Sequence, residues 1–124
     1  MDNTELGMII NFTRSEKTVL VDALNWYIEY TKDSIFVEEL TDDEIKQINK
    51  IINDLNKDHK CELNSEYGSL IINEVIPEFA QRLKTQIGLP EVENKKKTGG
   101  FYRTQFENIS EKIKDANKEQ NPFF

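Results

Sequence analysis

Apolar residues recur along this chain mostly at helical spacing, and the two firmest runs open with the same phrase. Phe12-Thr13-Arg14-Ser15-Glu16 and Leu40-Thr41-Asp42-Asp43-Glu44 each set an apolar residue, a Thr and, three positions on, a Glu ahead of a periodic stretch. That is a capping box. The Thr hydroxyl accepts from the backbone N–H three residues later, and the Glu carboxylate reaches back to the Thr N–H. After the first phrase, Val19, Leu20, Val21, Ala23, Leu24, Trp26, Tyr27, Ile28 and Tyr30 cover most of the helix circumference, leaving Asp22, Asn25, Glu29 and Lys32 as a narrow polar stripe. A helix over 14–32 that is apolar on nearly all sides belongs at the centre of a molecule and needs cover. After the second phrase, Ile45, Ile48, Ile51, Ile52 and Leu55 form one stripe. They predict an ordinary amphipathic helix over 42–56, stapled by Leu40 and Ile45 at its start.

A third helix begins near Asn64 or Ser65, and Ile72, Val75, Ile76, Phe79, Ala80, Leu83 and Ile87 carry its period to 87. Pro77 lies on the opposite, polar side. Because proline removes one backbone bond and clashes with the preceding turn, a kink is expected there rather than a fresh helix start. Gly88-Leu89-Pro90 ends the run. The stretch 91–100, charged and then Gly-Gly, reads as a linker. Beyond it Tyr102, Phe106, Ile109, Ile113 and Ala116 recur at four, three, four and three, predicting a helix over 101–118, with Thr104-Gln105-Phe106-Glu107 as a third copy of the capping phrase. Two short segments have strand character, 8–12 and 34–37, and could pair. The expected architecture is mainly α: a small single-domain bundle of about four helices with a minor two-stranded β element. Residues 1–90 would form the core domain, 91–100 the linker, 101–118 the C-terminal helix and 119–124 a tail ending in Phe123 and Phe124.

Composition fits one core. The 124 residues are 37% apolar, with one Trp, four Tyr and seven Phe, so the 31% charged content does not imply disorder. A single cysteine, Cys61, excludes an intramolecular disulfide and suits a reducing compartment. Met1-Asp2-Asn3-Thr4-Glu5 is acidic where a secretory signal is basic, and no apolar stretch approaches a membrane span, so a cytoplasmic protein is expected. Charge sharpens the picture, because the net -7 is uneven: 1–43 hold ten acids and three bases, whereas 94–124 hold four acids and seven bases. An acidic front favours a basic partner, since such fields raise association rates.

Catalytic chemistry finds little purchase. His59 and Cys61 are the only imidazole and thiol, fewer than a zinc site needs, and they lack the third group that orients a thiol nucleophile. The densest carboxylates, Glu38, Glu39, Asp42, Asp43 and Glu44, sit where a helix dipole favours acids. No phosphate-binding glycine loop, nucleophile elbow or paired-histidine helix is present. The expectation is therefore no enzyme, no catalytic residue, no metal and no cofactor.

Two surfaces remain. The acidic front, with Glu29, Asp33, Glu38, Glu39, Asp42 and Asp43, suits a larger host protein with a basic surface, and makes a protein-binding module the leading expectation. In size and charge such a chain resembles the accessory proteins of phages and mobile elements, which often inhibit host factors; no motif carries that likeness. The alternative is nucleic-acid binding or regulation through Lys95, Lys96, Lys97, Phe101, Tyr102 and Arg103, which mix positive charge with stacking rings. A third possibility is a structural subunit, a homo-oligomer that self-assembles through apolar helix faces, those of the last helix and of the helix over 14–32. No membrane partner is expected.

Overall fold

The computed structural model describes residues 7–87 and 92–120. Strand β1 (Met8–Asn11) leads into α1 (Arg14–Asp33); α2 (Asp42–Asp58) is followed by β2 (Lys60–Leu63), α3 (Ser65–Leu70), a π turn (Ile71–Val75), α4 (Ile76–Ile87) and α5 (Val92–Gln120). The chain is mainly helical with a small antiparallel sheet, as its periodicity predicts. α1 lies at the centre and packs on α2, α4 and α5, while α5 also crosses β1. Leu20, Leu24, Ile48, Leu55, Val75, Ile109 and Ile113 are fully buried between these elements. The polar stripe of α1 stays outside: Asp22, Asn25, Glu29 and Lys32 are all exposed.

Both predicted capping boxes form. Thr13 and Thr41 each accept from the backbone N–H of the Glu three residues on, at 3.1 Å, and Glu16 and Glu44 accept from the Thr N–H at 2.9 and 2.8 Å. A weaker cap opens α3, where the Asn64 side chain accepts from Tyr67 N–H at 2.9 Å.

The partner of β1 is not 34–37 but Lys60–Leu63, in the register Met8 to Leu63, Ile10 to Cys61 and Asn11 to Lys60. Four residues carrying two apolar side chains, Cys61 and Leu63, show too little alternation to stand out in a polar stretch. The backbone explains the rest. His59 ends α2 in the left-handed conformation at φ 59°, unusual for a side chain with a Cβ, and turns the chain back along β1. Its carbonyl then accepts from Phe12 N–H at 2.8 Å. Residues 34–37 instead form a bent loop segment with Ile35 and Phe36 facing solvent.

Pro77 is accommodated by a π turn. Ile76 N–H donates to the Ile71 carbonyl, five residues back, immediately before the residue that has no N–H to give. The path from Ser65 to Ile87 stays helical. The wide turn shifts the register ahead of it, so Ile71 is buried while Ile72, the residue expected from uniform spacing, is only partly so.

The expected linker 91–100 is, from Val92 onward, the first part of α5, which runs on through Gly99 and Gly100. Each glycine costs a helix about 1 kcal/mol relative to alanine. The docked seam offsets this, since Ile109 and Ile113 are fully buried. Thr104 accordingly is no cap: it lies inside α5, and its hydroxyl donates to the Gly100 carbonyl at 2.8 Å. Gly88 to Pro90, with the predicted end of the third helix, and the tail residues Phe123 and Phe124 lie outside the described residues.

Candidate functional site

A helix that is apolar all round must be covered, and the place where the cover fails is the place to look for a site. At the N-terminal end of α1 the inner face is closed by α5. Glu16, 3% exposed, uses one carboxylate oxygen for the Thr13 N–H and for Lys112 Nζ of α5, the latter at 2.5 Å. Lys112 Nζ also stands 5.8 Å from the centroid of the Phe12 ring. Burial alone would push the Glu16 carboxyl up; the Lys112 and Thr13 hydrogen bonds, the Lys112 charge and Asn108 outweigh it and hold the group below the ordinary carboxylate value.

The C-terminal half of α1 is covered on one side only. Trp26 and Tyr30 sit one turn apart and stack, centroids 4.6 Å apart and planes 16° from parallel. Behind them Phe79 of α4 meets Trp26 at 5.7 Å and contacts Tyr102 and Phe106 of α5 edge-on at 6.4 and 6.2 Å. In front lies an open groove of about 800 Å³, floored by Trp26 and Tyr30 and edged by Glu29, Asp33, Glu78 and Arg82. Its lip is the α1–α2 loop, where Ile35 is 90% and Phe36 86% exposed. The loop begins with a turn closed by Phe36 N–H donating to Ser34 Oγ at 3.0 Å.

Of the six acidic residues predicted as a contact surface, the fold brings Glu29 and Asp33 to this groove. Glu38, Glu39, Asp42 and Asp43 are exposed farther along the same loop and in the first turn of α2. Glu29 pairs with Lys32 at 3.3 Å, but both side chains are largely solvated and such a pair is worth about 0.5 kcal/mol. The negative field reaches inward as well. Burial first, then Glu74, Glu78 and Glu44, push the Tyr27 phenol up to about 12. Glu44, Glu66 and Glu74 also edge a smaller depression of about 260 Å³ beside Tyr67. Trp26, Tyr30, Ile35, Phe36 and Glu78 were not among the residues predicted for the site. The available signal was the pair Ile35-Phe36, two large apolar residues in a segment without period.

The basic segment is divided differently. Tyr102 is turned inward and packs on Phe79 and Phe106, whereas Phe101 and Arg103 are exposed. Lys95, Lys96 and Lys97 fall on the backbone of α5, and their side chains lie outside the described residues. The seam proposed for self-assembly is spent within the chain, because Ile109 and Ile113 are fully buried and Tyr102, Phe106 and Ala116 pack against the core.

His59 is exposed, while Cys61 faces the core from β2, its thiol pushed up to about 12 by burial and by Asp54. A thiol so held is a packing group. Among the described residues no group of three or more His, Cys, Asp or Glu is placed to hold a metal ion, and no helix is long and apolar enough to cross a membrane. No protein-family model matches the chain, nor does any curated protein or any solved structure.

Proposed function

We propose that this chain is a non-enzymatic protein-binding module whose contact surface is the acidic front centred on the Trp26–Tyr30 groove. One observation carries the reading: two adjacent large apolar residues, Ile35 and Phe36, stand almost fully exposed on the lip of an aromatic-floored groove edged by carboxylates. Single apolar residues on a surface are ordinary, whereas a contiguous patch with a polar rim is the anatomy of an interface. Trp and Tyr are the residues on which binding energy concentrates, and burying Ile35 and Phe36 would add roughly 1.5 to 3 kcal/mol each. Glu38, Glu39, Asp42 and Asp43, exposed on the α1–α2 loop and in the first turn of α2, add to the acidic field that would draw in a basic partner. The effect on a larger host protein would be occlusion of its basic surface.

The test is retention of a partner from the native source by the immobilised chain, compared with an Ile35→Ser, Phe36→Ser variant. Both side chains lie outside the core, so the variant keeps the helical circular dichroism of the parent. The expected outcome is one specific partner, identified by mass spectrometry, held by the parent and lost by the variant. A partner held equally by both would overturn the reading, as would specific retention of none. Salt-dependent nucleic-acid binding that disappears when Lys95, Lys96, Lys97 and Arg103 become Ala would replace it with the alternative.

A further inference from the structure

We infer that the groove reads a short cationic segment of a partner protein, one in which a large apolar side chain is flanked by arginines. The inference rests on the protein-binding reading and names the chemistry of the occupant. Three observations converge on it. The floor is aromatic: Trp26 and Tyr30 stack on each other at 4.6 Å, so a guanidinium or ammonium group would meet the ring surface left outside the stack, and indole is the best aromatic surface for such a group. The edges are carboxylates from two elements, Glu29 and Asp33 of α1 and Glu78 of α4, against one cation, Arg82. Arginine can lie flat on a ring while its edge forks onto a carboxylate, which the pairing of rings and acids here invites. The lip is apolar, since Ile35 and Phe36 offer cover to a hydrophobic anchor but nothing to a fully polar peptide.

The same features argue against other occupants. Phosphates of a nucleic acid or of an anionic lipid surface would meet Glu29, Asp33 and Glu78, with Glu38 and Glu39 beyond. A second copy docking front to front would oppose the acidic ends of two chains that each carry a net charge of -7. Glu29 is engaged only through a solvated pair with Lys32, so an incoming arginine can replace that lysine at little cost.

Trp26 is the only tryptophan of the chain, so its fluorescence reports the groove directly. The probe is a synthetic peptide with leucines along one face and arginines on either side of them, compared with its Arg→Glu and Leu→Ser counterparts. A saturable change in emission is expected with the first peptide, weakening as salt is raised and at least about tenfold weaker with either counterpart. The Asp33→Asn, Glu78→Gln variant, which keeps side-chain shape, should weaken it at least about tenfold as well. Equal binding of the Arg→Glu peptide would overturn the inference, as would an unaffected variant or no emission change up to roughly 1 mM peptide. A mass that doubles with concentration and returns to monomer in Phe36→Ser would assign the groove to a second copy instead. If a partner is lost on changing Ile35 and Phe36 to Ser while the arginine peptide fails, the binding module stands and this occupant falls. If both experiments fail, both readings fall.

Discussion

The two capping boxes share one phrase and do different work. At Thr41 and Glu44 the box is exposed, and its two hydrogen bonds close the start of α2 and nothing else. At Thr13 and Glu16 the same two bonds are partly buried, and the Glu16 carboxylate, itself buried, also holds Lys112 of α5 across 96 residues of sequence. A local motif becomes a tertiary one when a helix end is buried. Its acceptor must then satisfy every donor in reach, and removing it strands them. Sequence gives the cap in both cases, but only packing says which cap also fastens two helices together.

The two boxes should differ most at their glutamates. Glu16→Ala removes the cap acceptor and leaves Lys112 half-buried without its carboxylate, so a loss of about 2 to 3 kcal/mol is expected in urea unfolding. Glu44→Ala should cost about 0.5 kcal/mol, because water can replace the exposed carboxylate. If the two losses were equal, the burial of the first box would have no energetic meaning.

A pH series sharpens the contrast. The Glu16 carboxyl is held below its ordinary value of 4.5. Its contribution is therefore fully present above that value and is lost as pH falls through the depressed one. The melting temperature of the parent should exceed that of Glu16→Gln by a constant amount near neutrality, and the gap should narrow as the solution is acidified. A gap independent of pH would mean that the carboxylate charge is not what binds Lys112.

Effects smaller than that of Glu16 lie at the exposed box and on the open face of α2. Thr41→Ala should cost about 1 kcal/mol, as N-caps ordinarily do. Lys50→Ala, which breaks the solvated pair with Asp54 at 3.1 Å, should cost no more than about 0.5 kcal/mol and should vanish into noise at high salt.

What the sequence disclosed follows the range of the forces involved. The helix starts at 14, 42 and 65 depend on residues within four positions of each other and could be read directly. The β1–β2 pairing depends on His59 entering the left-handed region and on a partner some fifty residues away, and Lys60–Leu63 alone carries only two inward side chains. Gly99 and Gly100 looked like a linker because their local preference is against helix, and the burial of Ile109 and Ile113 overrides it. The site was half legible. The acids of the front are plain in the charge distribution, but which of them share a groove depends on how α4 lies beside α1. Glu78 joined the set only through that packing.

Cys61 gives the sheet a clock. Its thiol is shut away on β2 opposite Ile10, and burial pushes it up to about 12, so the closed sheet holds it as the unreactive thiol. Reaction with a thiol reagent must wait for β2 to lift from the core that the Cys61 side chain faces. When reclosing outruns labelling, the observed rate divided by that of an unhindered thiol is the fraction of time β2 spends away from the core. A single covalent mark, timed in a spectrophotometer, would thus measure how often the shortest elements of this fold let go while its helices hold.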